Sequence, residues 1–334
     1  MTDQRNMPLI GALVALTAGT LFSFGVVTVR LAEGLDAFQY LFWRAIALLP
    51  ALVVIALWTR QNPLRQALRA GWLGLVGAAC LTLASTSFVF ALKETTVANA
   101  MLFGSCSPLI GAFLGWAMLR ERIDTRIWGA IALGLAGLGI MTYSELGAGK
   151  LSGNLAALAS AFGYAGYSIV ARLGRGRDLS GVVGLYGLLT LVVAYLLAML
   201  GSDTVMGPPF SIAMAMLHGA VFIALGIVSF NFAARHVKAA QLTLLGQTET
   251  IFAPLWVLIL FGETPKVATL IGGAFIIAAV LLTARASTDE TAEDTASAGA
   301  AKLADDPPQD GRHHDRPTHD RQNVRDLGEK EKHP

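Results

Sequence analysis

From about residue 8 to residue 285, long apolar runs alternate with very short polar connections. Ten runs of about 20 mostly apolar residues can be marked, at about 8–31, 37–58, 71–92, 96–119, 126–144, 151–171, 181–200, 213–234, 239–261 and 267–285. A helix rises about 1.5 Å per residue, so a run of this length crosses the ~30 Å hydrocarbon core of a bilayer. The pattern predicts an all-α polytopic membrane protein with ten transmembrane helices and no room for a soluble domain between them. After Arg285 the apolar pattern stops.

Composition sharpens this division. The chain has 334 residues, 54% apolar and 14% charged, yet residues 286–334 hold 12 of its 23 acidic and 7 of its 25 basic residues. The 11 acidic and 18 basic residues left to the body are too few to solvate a globule of that size. The tail, rich in Asp, Pro, Thr and Ala, has too little apolar surface to offset the entropy of ordering and is expected to be a disordered cytoplasmic extension. Its histidines, His313, His314, His319 and His333, read as part of a solvated charged tail rather than a metal site. Cys80 and Cys106, the two cysteines, fall inside apolar runs and suggest packing, not a disulfide framework. The first run is longer than the apolar core of a secretory signal and reads as a retained span.

Lys and Arg orient the spans. With the N-terminus inside, inner segments hold thirteen (Arg5, Arg60, Arg65, Arg69, Arg120, Arg122, Arg126, Arg172, Arg175, Arg177, Arg235, Lys238, Arg285) and outer connections four (Arg30, Lys93, Lys150, Lys266). Both ends are therefore expected in the cytoplasm of a bacterial inner-membrane protein.

The polar positions repeat. Residues 90–121, "FALKETTVANAMLFGSCSPLIGAFLGWAMLRE", align without a gap to 232–263, "FAARHVKAAQLTLLGQTETIFAPLWVLILFGE". Phe90, Ala91, Ala98, Leu102, Gly104 and Glu121 recur as Phe232, Ala233, Ala240, Leu244, Gly246 and Glu263, while Asn99 faces Gln241 and Ser105-Cys106-Ser107 faces Gln247-Thr248-Glu249. Each unit contains five spans, so the second copy enters from the opposite side. Such inverted repeats place substrate sites near the midplane where the halves meet. The expected boundaries are 1–145 for the first five-helix repeat, 146–286 for the second and 287–334 for the tail.

With these two halves, "RAIALLP" in span 2, "ALKETTVANA…SP" opening span 4, and "LRERI…WGAIALGLAGLGIM" closing the first half, the chain resembles the EamA-type branch of the drug/metabolite transporter superfamily over residues 8–285. The segment "GETPKVATLIGGAFIIAAVLL" resembles the same unit in the second half. The resemblance implies a ten-helix transporter, commonly an exporter of metabolites or amino acids, with a cavity between the halves. It does not fix the cargo.

Glu249, at the middle of span 9, carries the sharpest signal, because an ionisable side chain at that depth is costly and by default functional. A neutral acid there could carry a proton and an anion could bind an amine; the structural alternative is an interhelical hydrogen bond. Gln247 and Thr248 flank it, and Asn99, Gln241, Ser105 and Ser107 belong to the same polar clusters. The serines could line a cavity or bond their own backbone one turn back. Arg44 lies about 10 Å into span 2 and could bind a carboxylate, pair with Glu249 or snorkel to the headgroups. Tyr164 and Tyr167, three apart in span 6, could form an aromatic wall. Lys93, Arg235 and Arg30 read as snorkelling ends; the glycines of residues 129–139 and Gly111–Gly115 as close-packing points; Pro50, Pro108 and Pro254 as kinks.

The leading reading is a secondary transporter of a small polar metabolite, working by alternating access and driven by a proton gradient or by the cargo gradient alone. No cofactor, metal or nucleic acid is expected as a partner; the partners are a small-molecule substrate and the bilayer, with oligomeric state open. The sequence lacks a Gly-rich Lys motif for ATP. A membrane scaffold or sensor acting through the acidic tail is the alternative. An intramembrane serine hydrolase built on "GSCS" at 104–107 is disfavoured, because His218 reads as lying near the outer end of span 8, away from Ser105 and Ser107.

Overall fold

The computed structural model describes residues 7–120, 125–145, 151–174, 179, 181–234 and 248–282, and among them the regular structure is all helical. Gln241, Gln247, Arg235 and the tail at 287–334 lie outside the described residues.

The helices begin where the sequence supplies caps. Helix α1 (Met7–Leu31) is followed by α2 (Ala37–Trp58). Asp36 opens α2 with a capping box, its carboxylate accepting from the Phe38 and Gln39 amides while the Gln39 side chain accepts from the Asp36 amide. Helix α3 (Pro63–Glu94) starts from an Asn62 cap and is longer than the expected span because about two earlier turns, from Pro63, join it at Gly71. Gly71 has φ 56°, which its missing Cβ permits, and the chain kinks there.

Span 4 departs from the expectation of one kinked helix. It breaks into α4 (Val97–Gly104) and α5 (Ser107–Leu119), with Ser105 and Cys106 between them. Proline lacks an amide hydrogen and crowds the preceding turn, so Pro108 is better placed in the first turn of a new helix than inside a continuing one. Pro50, by contrast, sits within α2, and Pro254 within the helix Thr248–Phe261. The remaining helices are α6 (Thr125–Glu145), α7 (Leu151–Leu173), α8 (Val182–Ser202), α9 (Pro209–Leu217), α10 (Ala224–Ala234), α11 (Thr248–Phe261) and α12 (Val267–Leu282). A π-helical turn, His218–Ile223, links α9 to α10 without interrupting the rod.

Six segments among the described residues have the length and hydropathy to cross a membrane: Ile10–Leu31, Ala37–Trp58, Pro63–Glu94, Val97–Leu119, Val182–Ser202 and Pro209–Phe230. Thr125–Met141, Thr248–Phe261 and Val267–Leu282 are shorter apolar helices. Apolar side chains such as Val54, Leu75, Leu135, Ile259 and Leu270 are exposed on the exterior, as a lipid-facing surface requires.

Early and late helices interlock. Helix α3 packs most extensively against α7 and α8, α2 against α8, and α1 against α10 and α11. Small residues let them approach. A Cβ on Gly163 of α7 would stand 2.6 Å from the Ala84 amide nitrogen of α3, and one on Gly137 of α6 would stand 2.5 Å from the Gly272 carbonyl oxygen of α12. Gly134 and Gly137 thus act as close-packing points, whereas Gly111, Gly129 and Gly139 meet no atom within 4 Å.

One end of the bundle is laced by polar bonds between early and late segments. Arg30 pairs with Glu263 at 3.0 Å and donates to the Thr95 carbonyl at 3.0 Å, and Glu263 also accepts from the Val97 amide at 2.8 Å. Gln39 donates to the Thr204 carbonyl at 3.1 Å, Trp43 donates to the Val205 carbonyl at 2.7 Å, and Ser202 bonds Asp36. Lys93 donates to the Ala32 carbonyl at 2.6 Å at the end of α1. Arg30 and Lys93 are therefore committed to protein partners rather than simply snorkelling.

Candidate functional site

A cavity of about 400 Å³ opens inside the bundle, lined from α1, α2, α3, α7, α8, the π turn, α10 and α11. Its polar lining is a short set: Arg44, Ser85, Tyr164, Tyr167, Tyr186, His218 and Glu249. Phe22, Phe88, Phe230 and aliphatic side chains make the rest largely apolar. The lining runs from Leu92, near the end of α3 at the laced end, to Val183 in the first turn of α8 and Phe230 one turn from the end of α10.

Glu249 reaches the cavity from the first turn of α11. Seven residues on, and so on the same helical face, Trp256 donates to Ser23 at 3.0 Å and stacks on Phe24 with centroids 4.8 Å apart. Those contacts fix the rotation of α11 against α1 and turn Glu249 inward. Among the described residues no cation lies within ion-pair distance of it; the described ion pair is Arg30–Glu263.

Arg44 does not snorkel. It is 4% exposed and its Nη2 donates to Ser85 and to the Tyr186 hydroxyl, the latter at 3.1 Å. Tyr186 in turn donates to Ser85 Oγ at 3.0 Å. The guanidinium thus ties α2, α3 and α8 together with neutral partners, and its Nε is buried without one. Tyr164 is 45% exposed and lines the cavity; Tyr167, one turn on, joins it there.

His218 lies deeper than its sequence position suggested. The helix begins at Pro209, which puts His218 about 14 Å from its start, and the ring lines the cavity. Its Nδ1 bonds the Tyr40 hydroxyl at 2.7 Å, and Tyr40 bonds Thr28 at 2.8 Å. The ring fits because residue 25 is glycine: a Cβ there would stand 2.3 Å from His218 Nε2.

The other expected site residues stand elsewhere. Asn99 is fully buried and accepts from Thr269 at 2.8 Å, outside the cavity. Ser105 donates to its own Leu102 carbonyl at 2.8 Å, and neither it nor Ser107 lines the cavity. Thr248 is described but does not line it. Of the ten expected site residues, Glu249, Arg44, Tyr164 and Tyr167 meet. Sequence reasoning does not find Ser85, Tyr186 and His218 as lining residues; Ser and Tyr are common in spans, and only the partnership of Ser85 and Tyr186 with Arg44 distinguishes them.

A mostly apolar cavity with a few convergent polar groups, inside a bundle of lipid-compatible helices, is the arrangement of a membrane protein with a small-molecule site. Comparison with known proteins agrees. The EamA-like transporter family model matches twice, over residues 9–143 and 151–285, and the chain belongs to that family. An uncharacterized transporter of Pseudomonas aeruginosa is 28% identical over 279 residues, covering 80% of this chain and 90% of that protein. An uncharacterized transporter of Archaeoglobus fulgidus is 31% identical over 212 residues, 63% of this chain and 74% of its own. The spermidine export protein MdtI of Photorhabdus laumondii is 29% identical over 102 residues, 30% of this chain and 93% of its own. A solved crystal structure shares the fold with a TM-score of 0.59 at 20% identity, over 81% of this chain and 94% of that chain.

Proposed function

We propose that this protein is a secondary transporter that exports a small polar metabolite, an amino acid or related compound, across the bacterial inner membrane by alternating access. Ten helices in two inverted five-helix repeats, residues 1–145 and 146–286, rock about the cavity, with both chain ends in the cytoplasm. The observation that carries this reading is the cavity of about 400 Å³ holding Glu249, Arg44 and three tyrosines inside apolar helices. The laced end is the one the Lys/Arg bias puts outside, and the cavity lining reaches from Leu92, beside Lys93 at that end, to Val183 and Phe230 towards the other. Glu249 carries the coupling proton.

The related spermidine exporter favours one variant of this reading, in which the cargo is an amine held by Glu249. Mass spectrometry of the medium from cells overproducing wild type or Glu249→Gln, at matched membrane expression, tests the proposal. A compound enriched outside only with wild type is the expected result; no difference from empty cells would refute export. Deleting residues 287–334 should leave flux intact. Loss of function without loss of membrane insertion would instead make the tail the output of a sensor.

A further inference from the structure

We propose that Arg44, Ser85 and Tyr186 form a carboxylate-binding subsite, so that the cargo is an organic acid group carried on an apolar body. This rests on the transport reading for its purpose, though not for its geometry.

The first observation is a charge without a counter-ion. Arg44 is 4% exposed at membrane depth, and among the described residues its partners are two hydroxyls. A buried guanidinium is expensive unless an opposite charge compensates it. Glu249 shares the cavity but lies beyond ion-pair distance, and the described ion pair of the bundle is elsewhere.

The second observation is the direction of the hydrogen bonds. Ser85 Oγ accepts from both Arg44 and Tyr186, which uses its two lone pairs and leaves its own hydroxyl hydrogen to donate. Tyr186 donates to Ser85 and Arg44 donates to both hydroxyl oxygens, so two acceptors are met by three donations. The group that remains is donor-rich. An incoming carboxylate takes the Ser85 hydrogen and the guanidinium together, a charge-assisted pair, whereas an ammonium finds no acceptor there.

The third is the surrounding wall. Around this pole the lining is aliphatic and aromatic, including Leu81, Val183 and Phe88. Such a wall favours a ligand whose body is apolar and penalises a fully polar anion such as phosphate, whose remaining oxygens would be desolvated without partners. Glu249, the acid in the same cavity, would when ionised oppose a second carboxylate and accept a cation, so one acidic group per cargo is the limit.

The test uses three probes with one apolar body: leucine, 4-methylpentanoate, which lacks the amine, and 3-methylbutylamine, which lacks the carboxylate. Binding to the purified full-length protein is read by calorimetry. Leucine and 4-methylpentanoate should bind the wild type, and Arg44→Gln should weaken both by about tenfold or more, the loss expected for a charge-assisted bond. It should leave 3-methylbutylamine unchanged. Because Arg44→Gln could fail to fold, Ser85→Ala supplies the second reading: it keeps the charge and should weaken 4-methylpentanoate several-fold. Binding of the amine alone, of none of the probes, or of 4-methylpentanoate equally to wild type and Ser85→Ala overturns the subsite. Counterflow of any bound probe in proteoliposomes separates the two readings. Arg44-dependent binding without counterflow would leave the subsite standing and remove transport, while counterflow of another metabolite with no probe binding would do the reverse.

Discussion

Gly163 offers a stringent check on how the cavity is held. It sits in α7 directly before Tyr164 and packs on α3, one residue from Ser85. In Gly163→Ala the new Cβ would stand 2.6 Å from the Ala84 amide nitrogen, 2.7 Å from the Cys80 carbonyl oxygen and 2.8 Å from Ala84 Cα. Ordinary contact begins at 3.4 Å, so the helices must separate by about 0.8 Å, and all three obstructing atoms are backbone. Side-chain rotation relieves none of it. Overpacking of this kind costs about 1–3 kcal/mol. For a chain of this class of size that lowers the melting temperature by roughly 2–10 °C. Thermal unfolding of the purified protein in detergent, followed by tryptophan fluorescence, measures it. Gly139→Ala is the control: it also adds a methyl to a helix glycine, but meets nothing within 4 Å and should melt at or slightly above wild type, since Ala favours the helix over Gly. Because the strained seam carries Tyr164 on one side and Ser85 on the other, flux should fall with stability. Wild-type melting and flux in Gly163→Ala, or equal damage in Gly139→Ala, would refute the claim that this approach sets the cavity wall.

Three further outcomes are expected. Glu249→Gln should flatten the dependence of flux on external pH in proteoliposomes; a pH–flux curve identical to wild type would remove the proton from Glu249. Tyr40→Phe deletes the hydroxyl between Thr28 and His218 and leaves the buried His218 Nδ1 without its partner, which should cost about 1–3 kcal/mol in thermal unfolding; an unchanged midpoint would show the relay to be energetically idle. Glu263→Gln weakens a part-exposed ion pair worth about 0.5–1 kcal/mol, which shifts the balance between conformers two- to fivefold. Labelling of Ser211→Cys, buried at the same end, by an impermeant maleimide in a background without Cys80 and Cys106 should speed up accordingly; an unchanged rate would mean the pair does not hold that end closed.

Much of the helix layout was legible because hydrocarbon thickness leaves few alternatives to a 20-residue apolar run. The expected span at 37–58 coincides with Ala37–Trp58. The misreadings have local causes. Hydropathy passes smoothly over Ser105–Cys106, so the division of span 4 shows only in the first-turn preference of Pro108. Likewise the apolar run predicts a span starting at Gly71, whose positive φ instead joins the earlier helical turns from Pro63 to it. In the site, Glu249 and Arg44 were legible because charge at depth is costly whatever surrounds it. Asn99 has the same chemistry as a ligand but meets Thr269, and Ser85 looks ordinary until Arg44 and Tyr186 converge on it. Pairing of that kind is decided between helices 41 and 101 residues apart in sequence, where no local pattern records it.

The π-helical turn at His218–Ile223 bears on how one rod can serve two surfaces. A π turn holds one residue more than the α-helix around it, so it advances everything downstream by about 100° of phase. On its near side His218 meets Tyr40 and Gly219 lies against the Arg44 carbonyl, which pins that portion to α2. On its far side Ile223, Ile227 and Phe230 form a stripe on the cavity. Were the extra residue to migrate along the helix, the pinned half would stay put while this stripe swung a quarter turn or more, replacing one wall of the chamber with another. The spare residue makes the wall a matter of helical phase, adjustable without translating or tilting the rod.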